Sequence, residues 1–183
     1  RLDAEAIRDA MLAISGELDL SRDMTTAMCI GEATQASARL VAREGGCLAG
    51  LEAFITAFRL LDGGATVEVR KADGETFEPG EVLAIVRCGA RALLAAERTA
   101  LNLLQRLSGV ATRTAEFVER AAGQARVLDT RKTTPGMRLL ERHAVRCGGG
   151  ENHRFGLADE VMIKDNHADL AGRSLEEMVR AAC

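Results

Sequence analysis

Three short groups of residues in the last third of the chain carry the side chains best suited to chemistry. They are Asp129-Thr130-Arg131-Lys132, Asn152-His153-Arg154 and Lys164-Asp165-Asn166-His167. Arginine pairs bidentately with carboxylates and phosphates, lysine supplies a compact charge, and histidine carries a proton that titrates near neutral pH. Cations that outnumber the nearby acids predict a ligand with several negative charges. A dicarboxylate and a phosphorylated sugar both fit that description.

The basic charge is concentrated in a chain that is acidic overall. The 183 residues carry 24 basic and 27 acidic side chains, yet residues 130–154 contain six basic and two acidic ones. An acidic chain with only five aromatic residues is unsuited to nucleic acid, which requires extended basic surfaces or stacking platforms. A compact basic segment indicates a site for a small anion, and a solvated helix face is the alternative interpretation.

Composition also limits where the protein works. No stretch approaches the roughly 20 apolar residues of a membrane-spanning helix, and no basic segment followed by an apolar run opens the chain. We therefore expect neither membrane insertion nor secretion. An odd number of cysteines without a CxxC pair predicts free thiols in a reducing compartment, here the cytoplasm. These cysteines are Cys29, Cys47, Cys88, Cys147 and Cys183.

The first half of the sequence predicts a small α+β unit. Apolar residues at helical spacing predict helices over 3–14 and 51–61. Alternating apolar residues predict strands over 38–48, 66–71 and 81–87. Turn-forming Asp-Gly and Pro-Gly pairs separate the last two strands, so we expect an antiparallel component.

The second half predicts alternating strands and helices. A long helix over 90–107 is expected to break at Ser108-Gly109, with Ser108 as the N-cap of a continuation over 110–122. Four further elements are predicted, namely strands over 126–131 and 160–164 and helices over 137–145 and 174–181. Strand–helix–strand order predicts parallel pairing. Ligands bind beyond the carboxyl ends of such strands, where Asp129–Lys132 and Lys164–His167 lie.

Several other residues have structural interpretations. Gly148-Gly149-Gly150 could bring backbone amides close to a ligand, although no Walker or GxGxxG pattern accompanies it. His143 and Cys147 lie at i and i+4 on a predicted helix, but two ligands do not make a zinc site, so we assign them to packing. Arg98, on the long helix, is expected at the surface.

Eight longer motifs run through nearly the whole chain. They are Asp23–Thr26, Leu48–Gly50, Glu97–Asn102, Leu107–Thr112, Leu128–Gly136, Arg146–Gly150, Asn152–Arg154 and Ile163–His167. In this order they resemble the motifs of the quinolinate phosphoribosyltransferase family, also called nicotinate-nucleotide pyrophosphorylase (carboxylating).

The resemblance implies an α/β fold in two domains. Residues 1–110 would form an N-terminal α/β sandwich domain with its linking helix, and residues 111–183 the first part of an α/β barrel domain. A complete eight-unit barrel takes about 250 residues, so we expect this chain to stop partway through it. The resemblance further implies a homodimer in which each active site lies at the subunit interface.

The implied activity is transfer of a phosphoribosyl group from phosphoribosyl pyrophosphate to quinolinate, with decarboxylation. The products are nicotinate mononucleotide, carbon dioxide and pyrophosphate, in de novo NAD biosynthesis. Arg98 would reach quinolinate from the neighbouring subunit, Lys132 would face the donor, and Thr130 would help to position substrate. Four residues would hold the quinolinate carboxylates, namely Arg131, His153, Arg154 and Lys164. We expect the catalytic residues to be Lys132, Arg131 and Lys164.

Magnesium is implied for the pyrophosphate, with ligands expected beyond the end of this chain. Because the donor half of the site would be missing, we expect the chain to be inactive as it stands. Two alternatives stay open. One is the molybdenum-transport-associated homologue of the same fold, and the other is a non-catalytic anion-binding or assembly module.

Overall fold

The structure is a computed structural model that describes residues 23–182. In chain order its elements are α1 (Met24–Cys29), β1 (Gln35–Val41), β2 (Gly46–Cys47), α2 (Leu51–Leu61), β3 (Thr66–Val69), β4 (Thr76–Phe77), β5 (Val82–Gly89), α3 (Ala90–Ala121), α4 (Arg138–Cys147), α5 (Asp165–Ala171) and α6 (Leu175–Ala182). They belong to two compact units, one ending at Asn152 and one beginning at His153. The predicted helix over 3–14 lies outside the described residues.

The first unit contains the predicted antiparallel sheet. Its strand order is β1-β5-β3, with Val86 at the centre opposite both Ala38 and Val67. A second, two-stranded pair joins β2 to β4. β5 is the central strand, and its alternating burial reflects one face packed against the helices.

Helix α3 packs against the strands and against α2, and residues of both helices and of the sheet form one core. The largest fully buried side chains are Leu48, Val86, Leu107 and Leu140. Gly50 begins α2 at a φ of 99°, and a Cβ atom there would lie 2.6 Å from Leu107 Cδ1. Glycine is therefore required at this position, both for the left-handed backbone and for the close approach of α3.

The predicted break at Ser108-Gly109 is wrong. Helix α3 is continuous through these residues and is 32 residues long in total. A glycine within a helix costs only about 1 kcal/mol, which packing along the helix outweighs. Ser108 is not an N-cap. Its hydroxyl accepts from the backbone N–H of Ala49 and donates to the Ala49 carbonyl, each at 3.2 Å. It ties α3 to the chain before α2.

The two strands predicted over 126–131 and 160–164 are not formed in the described residues. In place of the first, a single parallel bridge joins Leu128 to Glu151. A strand requires neighbours on which to build its ladder, and the described part of the barrel region supplies only this partner. The helices predicted near 137–145 and 174–181 are confirmed as α4 and α6. No described helix has the length and apolar character needed to cross a membrane.

Candidate active site

Thr130 and Lys132 line a cleft of about 620 Å³ in the first unit, bordered by α3, α4 and residues 127–133. The Thr130 hydroxyl accepts a 3.2 Å hydrogen bond from the backbone N–H of Lys132 and so shapes the turn between them. Arg106 and Arg113, on α3, also line this cleft. The structure thus brings together two residues that the sequence assigned to substrate and donor binding.

Arg131, between them, is half-buried. Its Nε is buried and has no hydrogen-bond partner among the described residues. Its backbone carbonyl accepts from Arg138 Nη2 at 3.2 Å, which holds the segment against α4. A buried charged donor without an acceptor costs free energy, and such groups concentrate at binding sites. This nitrogen suits an anionic ligand.

Asp129 is paired with neighbouring side chains at the start of this segment. Its side chain is 4% exposed and lies 3.3 Å from Arg142 Nη1. Asn152 Nδ2 donates to the same carboxylate at 2.7 Å and to the Arg142 carbonyl at 3.0 Å. Buried charges require this degree of pairing. No local sequence pattern predicted this network, which ties residues 127–129 to 151–152.

Glu141 is a second buried acid beside the cleft. Its carboxylate accepts from the Thr134 hydroxyl at 2.8 Å and from Arg106 Nη2 at 3.0 Å. Burial raises the pKa of Glu141, but the bonds from Thr134 and Arg106 outweigh burial and leave the pKa below its ordinary value. The charged form therefore anchors the segment that follows Lys132 to α4.

We expect Glu141→Gln to lower the free energy of unfolding by about 1–2 kcal/mol at pH 7. Because the folded pKa is depressed, the wild-type contribution is present above the unfolded pKa and is lost as pH falls through the folded value. Urea unfolding at neutral pH and below about pH 4 measures this. Glu119→Gln, at an exposed position of α3, is the control. An equal deficit for Glu141→Gln at both pH values would contradict the prediction.

The glycine run has a packing role, which differs from its expected contact with a ligand. The amides of Gly148, Gly149 and Gly150 donate to carbonyls within α4, at 3.1, 3.0 and 3.0 Å, so they are already occupied. A Cβ on Gly148 would lie 2.3 Å from the Ala111 carbonyl oxygen. Small residues here let the end of α4 contact the backbone of α3.

His153, Arg154 and Lys164 belong to the second unit. Arg154 is 7% exposed, and its guanidinium donates to the Glu160 carbonyl at 2.8 Å, which folds the loop that follows it. Lys164 is exposed and stands at the N-cap of α5, where its backbone N–H donates to His167 Nδ1 at 2.9 Å. It is therefore at a helix start and not at a strand end. The roles of these residues toward substrate stay predictions.

Arg98 is exposed on α3, as expected for a surface residue. It lines a second cleft of about 1050 Å³, bordered by α3 and β1. This cleft shares Gln105, Gly109 and Arg113 with the cleft that Thr130 and Lys132 line. Arg39 and Arg43 border the same cleft. The role of Arg98 toward a neighbouring subunit stays a prediction.

The antiparallel sheet, the helices packed on it and the cleft that Arg106, Arg113 and Lys132 line define an α/β protein. Two family models then match consecutive parts of the chain. The N-terminal domain of quinolinate phosphoribosyl transferase matches residues 23–108, and its C-terminal domain matches residues 110–183. The chain belongs to the quinolinate phosphoribosyltransferase family.

Curated relatives and solved structures agree with this assignment. A probable nicotinate-nucleotide pyrophosphorylase (carboxylating) of Bacillus subtilis is 47% identical over 87% of this chain and 55% of its own length. The corresponding protein of Mycobacterium leprae is 40% identical over 97% of this chain and 65% of its own. The crystal structure of NadC from Streptococcus pyogenes superposes with a TM-score of 0.90 at 40% identity, covering 99% of this chain and 65% of that one.

These comparisons confirm the predicted fold class, an α+β N-terminal domain followed by part of an α/β barrel. The chain spans 55–65% of the length of these relatives.

Proposed function

We propose that this chain carries the quinolinate-binding part of an enzyme that transfers a phosphoribosyl group to quinolinate. The ring nitrogen attacks C1 of the ribose while the bond from C1 to the pyrophosphate oxygen breaks. The nitrogen becomes cationic and accepts the electron pair released when the adjacent carboxylate leaves as carbon dioxide. A proton from solvent then takes the place of that carboxylate, which gives nicotinate mononucleotide.

The observation that carries this proposal is the buried Nε of Arg131, which has no acceptor among the described residues. Arg131 lies between Thr130 and Lys132 in sequence. Its two neighbours line one cleft, whereas Arg131 itself is not among the lining residues. A guanidinium that is desolvated before the ligand arrives can pair with a carboxylate without further reorganisation. Preorganised cations also stabilise the charge that develops on departing pyrophosphate, which is the role we assign to Lys132.

The family resemblance implies further residues for quinolinate. We propose that His153, Arg154 and Lys164 also bind its carboxylates. Arg98 would enter from the neighbouring subunit of a homodimer, which agrees with its exposure on α3.

The free thiols Cys29, Cys47, Cys88 and Cys147 suit a reducing compartment, and we propose the cytoplasm. The relative in rice is named as chloroplastic and one in tobacco as mitochondrial.

Magnesium would enter with phosphoribosyl pyrophosphate, but the described residues do not form a site for it. Asp129, the acidic residue directly before Thr130, is paired with Arg142 and Asn152. The one described cluster of three possible ligands includes a thiol and an imidazole, which suit softer ions.

The shared site is tested in the full-length protein by mixing inactive variants. We expect Arg98→Ala and Arg131→Ala each to abolish formation of nicotinate mononucleotide from quinolinate and phosphoribosyl pyrophosphate. In a mixed dimer one site carries both changes and the other carries neither. Refolding the variants together at equal amounts should therefore restore about a quarter of the wild-type rate.

Arg120→Ala, at another exposed arginine of α3, is the control and should leave the rate unchanged. Full activity in Arg98→Ala would remove the interface role of that arginine. No recovery on mixing would place both residues at the same subunit's site. Quinolinate binding measured by calorimetry, with nicotinate as the comparison ligand, tests the substrate itself, since only quinolinate offers two carboxylates.

A further inference from the structure

Three possible metal ligands converge where the turn between β3 and β4 meets the last turns of α4. Asp73 Oδ2 lies 2.8 Å from His143 Nε2, and Cys147 Sγ lies 3.4 Å from the same nitrogen. The three ligand atoms all lie within 4.8 Å of one another, and no other such group exists among the described residues. His143 and Cys147 are one helical turn apart, so both side chains face Asp73.

The Asp73 carboxylate is held rigidly before any ion arrives. Its two oxygens accept from the backbone N–H groups of Gly50 and Leu51, each at 3.1 Å, at the start of α2. The next residue, Gly74, donates to the Leu48 carbonyl at 2.8 Å. Each carboxylate oxygen keeps capacity for another partner, and hydrogen bonds of this kind commonly orient metal ligands.

The setting is polar and half-buried, which suits an ion that must enter from solvent. The Asp73 and His143 side chains are each 19% exposed, and Cys147 is half-buried. A divalent ion would compensate the negative charges of the Asp73 carboxylate and the Cys147 thiolate, and the thiol proton would pass to solvent on binding.

We propose that Asp73, His143 and Cys147 bind a zinc-class divalent ion with one oxygen, one nitrogen and one sulfur ligand. Zinc bonds of about 2.0 Å to nitrogen or oxygen and 2.3 Å to sulfur require tetrahedral ligands about 3.3–3.6 Å apart. The separations of 2.8 and 3.4 Å approach these values, so a small opening of the Asp73–His143 pair accommodates the ion. Water fills the fourth position.

The ion would join two parts of the chain that are distant in sequence. Asp73 lies in the segment matched by the N-terminal domain of the family, whereas His143 and Cys147 lie in the C-terminal one. All three belong to the first compact unit. Cys147 directly precedes the glycine run that ends α4. We therefore assign the ion a structural role, in which it crosslinks these two segments. This role does not depend on the proposed transferase function.

The test is titration of the purified, reduced and metal-free protein with Co²⁺ and Zn²⁺. Co²⁺ should bind at one equivalent, with the near-ultraviolet absorption of a thiolate–cobalt bond, and Zn²⁺ should displace it. Zn²⁺ in excess should raise Tm by about 5 °C, because it binds the folded state. Cys147→Ser should remove the absorption, and His143→Gln should weaken binding at least tenfold.

Cys29→Ser, at an exposed cysteine of α1, is the matched control and should behave as wild type. Circular dichroism shows whether each variant is folded. Two independent variants guard against a folding defect, since His143→Gln leaves every cysteine in place. An absent thiolate band in wild type, or a band unchanged in folded Cys147→Ser, would overturn the proposal.

Discussion

Gly148→Ala is expected to lower the free energy of unfolding by about 3 kcal/mol or more. The added Cβ would lie 2.3 Å from the Ala111 carbonyl oxygen and 2.7 Å from Thr114 Cβ. The nearest of these is a backbone atom within α3, which cannot rotate away as a flexible side chain would. Relief requires the end of α4 to move off α3, and this would also displace the segment that leads to Asn152 and His153.

Gly109→Ala provides a control of opposite sign. Gly109 is exposed within α3, and a Cβ there would meet nothing within 4 Å. Alanine in a helix is favoured over glycine by about 1 kcal/mol, so this variant should be stabilised. Urea unfolding of both variants measures the contrast. A Gly148→Ala variant as stable as wild type would show that the approach of α4 to α3 tolerates a side chain.

Arg131→Ala is expected to weaken quinolinate binding at least about 100-fold in the full-length protein, because a bidentate guanidinium–carboxylate pair is lost. Arg131→Lys should recover only part of the affinity, since an ammonium group cannot form the paired bonds. Calorimetry with quinolinate measures both. Arg146→Ala, at an exposed arginine of α4, is the control for a general loss of positive charge.

The same variant separates binding from folding. The Arg131 Nε is buried without an acceptor among the described residues, so its removal should leave stability unchanged or slightly raised in the absence of ligand. Reduced stability together with unchanged quinolinate affinity would show that Arg131 is a structural residue. That result would remove the observation on which the proposed function rests.

Local patterns predicted the elements whose apolar face is visible in a short run of residues. The helix over 51–61 and the strands near 66–71 and 81–87 follow from apolar periodicity, because each buries one face against a common core. The same reasoning failed at Ser108-Gly109. The hydroxyl of Ser108 reaches the backbone of Ala49, which is 59 residues away in sequence, and no local pattern records such a contact.

The prediction of strands over 126–131 and 160–164 is wrong for a related reason. Apolar runs show that a segment can pair, but pairing requires a partner, and Leu128 meets only Glu151. Of the predicted site residues, Thr130 and Lys132 lie at one cleft while Arg98 lies at another. Sequence motifs could not show that these residues lie at different clefts, because a motif gives the residue types and not the distances between them in the folded chain.

The amino-acid sequence by itself determined the family, the antiparallel first half and the cations of the candidate site, since these depend on residue type and short-range spacing. Only the tertiary structure decided which groups serve the fold. It paired Asp129 with Arg142 and Asn152. The amides of Gly148–Gly150 donate to carbonyls of α4. Asp73 contacts His143, which is 70 residues away in sequence. Packing and charge pairing act through space, so chain separation does not reveal them.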